Sequence, residues 1–404
     1  MKWELVPYTR GIVLQTLEGE PIFPHFQKEV PEGELDALVG LGDDSRVKKG
    51  GFWCRGEEVL QRTESGWDVV DLTYPAKTCI IARFGAWGDL MQMTSVLPEL
   101  KRQEYYVVLH CSPRGYPVVK NDPRIDRFVL QDPDQVPNRE LTAYFVYLSS
   151  RVDKFVNLSE SVEGTLLAMP GRPVSFWTKE ARHAVCDVNY VELTHLLAGL
   201  SYSRPQTEFV STREERDDCR TFLEKHGGSP NILWVLSGSA VHKTYPHLDS
   251  IIARVLLTWP QARIFTVGEE LCELLEAPWV NESRVIRMSG VMEIRPTLVL
   301  AQACDLVIGP ETGVMSAVSM MDMGKVLLLS HSTKENLSRD WVNTQSVWSK
   351  VTECYPCHRL IFGWDQCVQG AKSGAAQCQE DISPDQVWQA VQKGLQRYQL
   401  QRAA

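Results

Sequence analysis

The 404-residue chain is 44% hydrophobic and 23% charged, the balance of a globular protein, and it is too long for one core, so two or three domains are expected. No apolar run approaches the roughly 18 residues of a membrane span, and "MKWELVPYTRG" has no apolar signal region, so a cytoplasmic protein without a transmembrane segment is expected. The formal net charge of −9 argues against a whole-surface grip on nucleic acid, which is disfavoured as a partner without being excluded. Peripheral membrane contact stays open.

Residues 1–75 carry short β-type runs such as "GIVLQTL" and "GWDVVDLTY" between Gly, Pro and acidic turns, and predict a small β-rich extension. From Lys77 the pattern becomes alternating strands and helices. "TCIIARF" predicts a buried strand, after which Leu90, Met93, Leu97 and Leu100 fall on one helix face. "YYVVLHC", "RFVL", "TAYFVYLS" and "KFVNLS" predict further strands, and "VNYVELTHLLAGL" a helix before a charged connector around Ser211–Asp218. A second series follows in "NILWVLSG", "ARIFTVG", "RVIRMSG", "CDLVIGP" and "GKVLLLS", with "LDSIIARVLLTW" as an amphipathic helix. This is the βαβ grammar of doubly wound parallel sheets, whose ligands bind beyond the carboxyl ends of the strands. The expected organisation is an extension (1–75), two Rossmann-like domains (76–225 and 226–350) and a terminal segment (351–404).

Three strand ends carry chemistry. In "RFGAWGDL", Gly85 and Gly88 allow a tight turn and Asp89 opens a helix. The spacing is not G-x-G-x-x-G, so a dinucleotide site is disfavoured. Asp89 is either a helix cap or a general base, and a helix N-terminus lowers a carboxylate's basicity, which works against the second role. In "SGSAVHKTYPHLDS", Ser237, Gly238 and Ser239 can hold phosphate oxygens with Lys243 as the point charge, or form a solvated loop. In "GPETGVMSAVSM", Glu311, Thr312 and Gly313 lead into a helix of small residues including Ser316, where Glu311 can take a sugar hydroxyl.

Taken in order, these segments resemble glycosyltransferase family 9, the ADP-heptose:lipopolysaccharide heptosyltransferases. The likeness spans about residues 77–350 and rests on "RFGAWGDLMQMTSVLPELKR", "KFVNLS", "HKTYPHLDSIIARVLLTWPQARIFTVGEE" and "GPETGVMSAVSM". Glu311 stands where the family has Asp, and Ser316 where it has His. The resemblance implies a GT-B fold, two facing Rossmann-like domains. It also implies inverting, metal-independent transfer of a heptose or similar sugar from a nucleotide-diphosphate donor to an acceptor hydroxyl, on lipopolysaccharide core or another glycan. Asp89 becomes the base and Lys243 the diphosphate ligand. Glu269 or Glu270 becomes a ribose contact, Met292 a neighbour of the nucleotide base, and Glu311, Thr312, Gly313 and Ser316 the donor loop. Arg83 and Gly88 fall on the acceptor side. Transfer to a protein or a modified nucleic-acid base is the alternative, as is a non-catalytic sugar-nucleotide-binding module; retention of Asp89 and Lys243 speaks against the last.

Eleven cysteines are many for a cytosolic chain. Seven, among them Cys79, Cys186 and Cys304, sit singly in apolar surroundings and read as core residues. Cys354, Cys357, Cys367 and Cys378 instead lie within 25 residues, a spacing that suits a structural Zn or Fe site; disulfides or reduced thiols are the rivals. No cofactor is expected for catalysis.

Overall fold

The computed structural model describes residues 74–130, 145–146, 148–159, 176–202 and 207–403, together with seven strands within residues 3–70. Five of those strands form an antiparallel sheet in the order Glu29–Val30, Trp3–Leu5, Trp53–Arg55, Glu58–Thr63, Gly66–Val70, and Leu14–Gln15 pairs with Pro21–Ile22. The chain divides into two compact units. The first holds residues 1–85, 96–116 and 122–159, and the second holds 86–95, 117–121 and 160–404. This division differs from the boundaries at 75, 225 and 350 expected from the sequence.

In the first unit, Thr78–Arg83 (β1), Tyr106–Cys111 (β2), Arg127–Leu130 (β3) and Lys154–Asn157 (β4) form a parallel sheet in the order β3-β2-β1-β4. Every residue of β1 is buried, as a central strand covered on both faces requires. The helix expected after β1 is broken in two. Trp87–Met93 (α1) passes through a single turn of 3₁₀ helix, Thr94–Val96, into Leu97–Arg102 (α2). Pro98 explains the break, because its ring excludes the carbonyl four residues earlier and it offers no N–H. All four face residues are buried, yet Leu90 and Met93 belong to the second unit and Leu97 and Leu100 to the first.

Two predicted elements are corrected. Residues 145–146 and 148–149 of the "TAYFVYLS" run are helical, and the rest of it lies outside the described residues; short apolar runs do not distinguish strand from helix. The charged connector is a helix. Thr212 and Glu215 close a reciprocal capping box that starts it.

In the second unit, Lys179–Cys186 (α3), Tyr190–Leu197 (α4) and Arg213–His226 (α5) precede a six-stranded parallel sheet. Its strands are Asn231–Val235 (β5), Arg263–Val267 (β6), Val285–Arg287 (β7), Leu306–Pro310 (β8), Gly324–Leu328 (β9) and Thr344–Val347 (β10). The order β7-β6-β5-β8-β9-β10 is the 3-2-1-4-5-6 winding of a Rossmann sheet, whose strand order reverses between β5 and β8. Leu248–Thr258 (α6) buries Ile251, Ile252 and Val255 against Ile232, Ile264 and Ile308. The terminal segment is no appendage, because Val387 and Val391 of its helix Pro384–Gly394 enter the same core. A Cβ on Gly324 would lie 2.1 Å from the Gly394 carbonyl oxygen, so the helix packs backbone to backbone on β9. Among the described residues no helix is long and apolar enough to cross a membrane.

Candidate active site

The strand order reverses between β5 and β8, the point beyond whose carboxyl ends such sheets bind ligands, and the second unit places there residues the sequence singled out. After β5 come Ser237, Gly238 and Ser239; Ser237 Oγ lies 3.0 Å from Thr244 Oγ1, and Ser239 is exposed. After β8 come Glu311 and Thr312, with Thr312 capping the one-turn helix Gly313–Ala317. That helix is too short for a sizeable macrodipole, so any help it gives an anion comes from local N–H groups. Ser316 Oγ is turned inward to the Thr312 carbonyl at 3.2 Å.

Glycine permits the closest approaches. A Cβ on Gly238 would sit 2.7 Å from Lys243 Cδ and 3.1 Å from Thr312 Cγ2, so the lysine stem is folded across the loop. A Cβ on Gly313 would sit 2.7 Å from Trp87 Cβ and 2.9 Å from the Gly88 nitrogen, which brings α1 onto the start of the Gly313–Ala317 helix. Gly313→Ala should therefore cost about 1–3 kcal/mol of stability, because backbone has to move. A Cβ on Gly88 meets Gly313 at an ordinary 3.6 Å, so Gly88→Ala should stay within about 0.5 kcal/mol. Urea unfolding of the pair checks this asymmetry.

Lys243 is buried, and its Nζ donates to the Glu311 carbonyl at 2.7 Å. Burial pushes its amine below the ordinary lysine range, while the nearby Glu311 and Asp89 carboxylates pull it back up. Lys243 is thus in electrostatic reach of both Asp89 and Glu311. Asp89 is half-buried at the third position of α1, with one carboxylate oxygen accepting the Ala86 N–H at 2.7 Å. Glu311 is more enclosed than the sequence suggests. Its carboxylate accepts the backbone N–H groups of Ser330 (2.7 Å), His331 (3.2 Å) and Ser332 (3.3 Å) and the Ser330 hydroxyl (2.7 Å). It therefore fixes the loop after β9. His242 Nδ1 reaches the same hydroxyl at 2.9 Å, and its Nε2 accepts the Ile361 N–H at 3.4 Å. Since Ser330 gives its proton to Glu311, His242 carries its own on Nδ1. Burial holds both His242 and His331 well below the usual histidine range, so both are neutral.

Glu269, Glu270 and Met292 come from two other strand ends. They follow β6 and β7, with both glutamates exposed and Glu270 packed under Gly290. Arg83, in the first unit, donates to the Leu158 (2.9 Å) and Phe84 (3.3 Å) carbonyls. Sequence reasoning missed the loop Ser330–Ser332 and Tyr190. The available signal was a polar S-H-S run directly after an apolar strand.

Cys354, Cys357, Cys367 and Cys378 form no disulfide. They share the segment after β10, and among the described residues no three of their sulfurs lie within 4.8 Å of one another. Burial, and after it the neighbouring thiols, raise Cys357 to about 12 and Cys367 to about 11; Cys378 is raised by burial and then by all three partners. Four soft thiols with mutually unfavourable thiolates are a donor set that a soft cation would stabilise. A different group, His183, Asp187 and His358, has its ligand atoms within 4.8 Å of one another. It suits a metal poorly. Asn336 accepts the Thr333 N–H at 3.0 Å, so its amide nitrogen faces His358 Nδ1 at 3.1 Å. The His358 proton then sits on Nε2, toward His183 Nδ1 at 3.4 Å, and leaves no lone pair there for a metal.

No protein-family model matches the chain, and no curated protein matches it. Solved structures do. The E. coli ADP-heptose lipopolysaccharide heptosyltransferase II is 14% identical, with 81% of this chain and 100% of that one aligned at a TM-score of 0.55. A glycosyl transferase family 9 protein from Veillonella parvula is 14% identical over 80% of this chain and 99% of its own, TM-score 0.56. The dodecameric iron-containing heptosyltransferase TibC, in complex with ADP-D-beta-D-heptose, is 12% identical and covers 98% of this chain and 92% of its own, TM-score 0.50. At these identities the likeness is one of fold, and the fold is the GT-B class expected from the sequence.

Proposed function

We propose that the protein is an inverting glycosyltransferase that moves a heptose from ADP-heptose to an acceptor hydroxyl without a catalytic metal. The observation that carries this reading is the placing of buried Lys243 on the Glu311 carbonyl, in electrostatic reach of Asp89, at the strand-order reversal of a Rossmann sheet. It is supported by the fold shared with heptosyltransferases, one of them solved with ADP-heptose. Asp89 takes the proton of the acceptor hydroxyl as that oxygen bonds to the anomeric carbon. The bond from that carbon to the diphosphate breaks on the opposite side, and ADP leaves with the electron pair. Lys243 meets the charge that develops on the diphosphate, in a buried site where the interaction is worth more than in water. Glu311 holds the Ser330–Ser332 loop, and Glu269, Glu270 and Met292 supply the nucleoside side. A glycan such as lipopolysaccharide core is the first acceptor to try. The test is calorimetry with ADP, UDP and GDP: micromolar binding confined to ADP supports the reading, and equal or absent binding of all three removes it.

The four-cysteine site belongs to this reading as a structural element. Four thiolates close a tetrahedral site and leave no open position for substrate, so the metal would contribute folding energy. Iron is favoured over zinc because the fold-mate that spans nearly the whole chain is itself described as iron-containing. Purified protein should hold about one equivalent of metal by elemental analysis, and Cys357→Ser should lose it and unfold at lower temperature. Metal-free protein with four titratable thiols and unchanged stability would leave the cluster as packing.

A further inference from the structure

We propose that Tyr190 and Ser332 bind hydroxyl groups of the transferred sugar and so select which sugar the site accepts. This rests on the donor reading above and assigns two residues to which that reading gives no role.

Tyr190 is the first residue of α4, and the helix start is pinned. Asn189 accepts the N–H groups of Val191 (3.0 Å) and Glu192 (3.2 Å) and donates to the Glu335 carbonyl at 3.1 Å. The Tyr190 side chain is 5% exposed and its hydroxyl has no hydrogen-bond partner. Ser332 is completely buried and its hydroxyl is unpartnered too. The two are neighbours, close enough for Ser332 to act on the phenol but outside hydrogen-bond geometry. Ser332 is held through its N–H by Glu311 at 3.3 Å and through its carbonyl by the Tyr355 hydroxyl at 2.8 Å.

Two enclosed, adjacent, unsatisfied hydroxyls are a cost that folding ordinarily avoids. Their position says what relieves it. Glu311 and Asp89 both lie in electrostatic reach of the Tyr190 hydroxyl, and those carboxylates make the spot unwelcoming to another anion. A neutral polyol fits instead, because its hydroxyls can accept from the phenol or the serine and donate to an oxygen of Asp89, the Glu311 carboxylate being taken up by the Ser330–Ser332 loop. Burial keeps the phenol protonated, and it therefore stays a donor. The diphosphate is left to Lys243, so sugar and phosphate are recognised by separate residues.

Tyr190→Phe and Ser332→Ala test this by calorimetry with ADP, ADP-heptose and ADP-glucose. Each variant should bind ADP like the parent and ADP-heptose about 3- to 10-fold more weakly. Each should also lose discrimination between the two sugars, with thermal stability equal to or above that of the parent. A matched loss for ADP and ADP-heptose would overturn the inference by placing the hydroxyls on the diphosphate. Unchanged binding of all three in both variants would overturn it by leaving them as enclosed groups without a ligand. A parent protein that binds no ADP is a different failure, that of the donor reading itself, and removes both.

Discussion

Asp89→Asn should lower sugar transfer by about 10²-fold or more while leaving ADP affinity and the unfolding midpoint close to those of the parent. The substitution is chosen to separate two roles of one side chain. Asp89 accepts the Ala86 N–H at 2.7 Å and so closes the first turn of α1. Asparagine keeps a carbonyl oxygen for that bond and gives up only the ability to take a proton. Asp89→Ala removes both, and should add about 1 kcal/mol of destabilisation for the lost cap. A helix N-terminus makes a carboxylate a weaker base, so Asp89 depends on the acceptor hydroxyl being held within hydrogen-bond reach. If Asp89→Asn turned over at nearly the parent rate, Asp89 would be a cap and nothing more.

Lys243→Ala should weaken ADP and ADP-heptose alike, by about 10- to 150-fold, the range for hydrogen bonds to charged groups. Equal loss is the informative part, because the diphosphate is common to both ligands. The lysine is already desolvated and anchored on the Glu311 carbonyl, so its charge reaches a ligand without paying to be buried again. Its stem also covers Gly238, and Lys243→Met serves as a control that keeps the packing and drops the charge. Lys243→Met should reproduce the binding loss. Calorimetric affinities unchanged for both ligands would move Lys243 out of the donor site.

The parallel strands were legible because each is a short apolar, β-branched run ending in Gly, Ser or an acid, and burial on both faces leaves no other pattern open to them. Helix α5 was not legible from periodicity, since none of its residues is buried; only the Thr212–Glu215 capping box announces it. The unit boundary inside the helix after β1 was hidden as well. Leu90, Met93, Leu97 and Leu100 keep one apolar face whether they serve one core or two, and only Pro98 marks the break. At the site, Asp89, Lys243 and Glu311 could be named because each follows a strand. Their chemistry was less legible. Glu311 reads as a sugar ligand until its carboxylate is seen filled by the Ser330–Ser332 loop. Tyr190 lies some 140 residues before that loop in the chain, and no spacing rule pairs a tyrosine at a helix start with a serine beyond a distant strand.

The central claim is most directly tested by following ADP-heptose with the purified protein by ³¹P NMR, with and without a lipopolysaccharide-core acceptor. The account predicts that ADP appears without added divalent metal, slowly with water and faster with acceptor, and that Asp89→Asn abolishes the acceptor-dependent part. ADP-heptose that binds and stays intact under every condition would contradict it, and would make the protein a sugar-nucleotide-binding module.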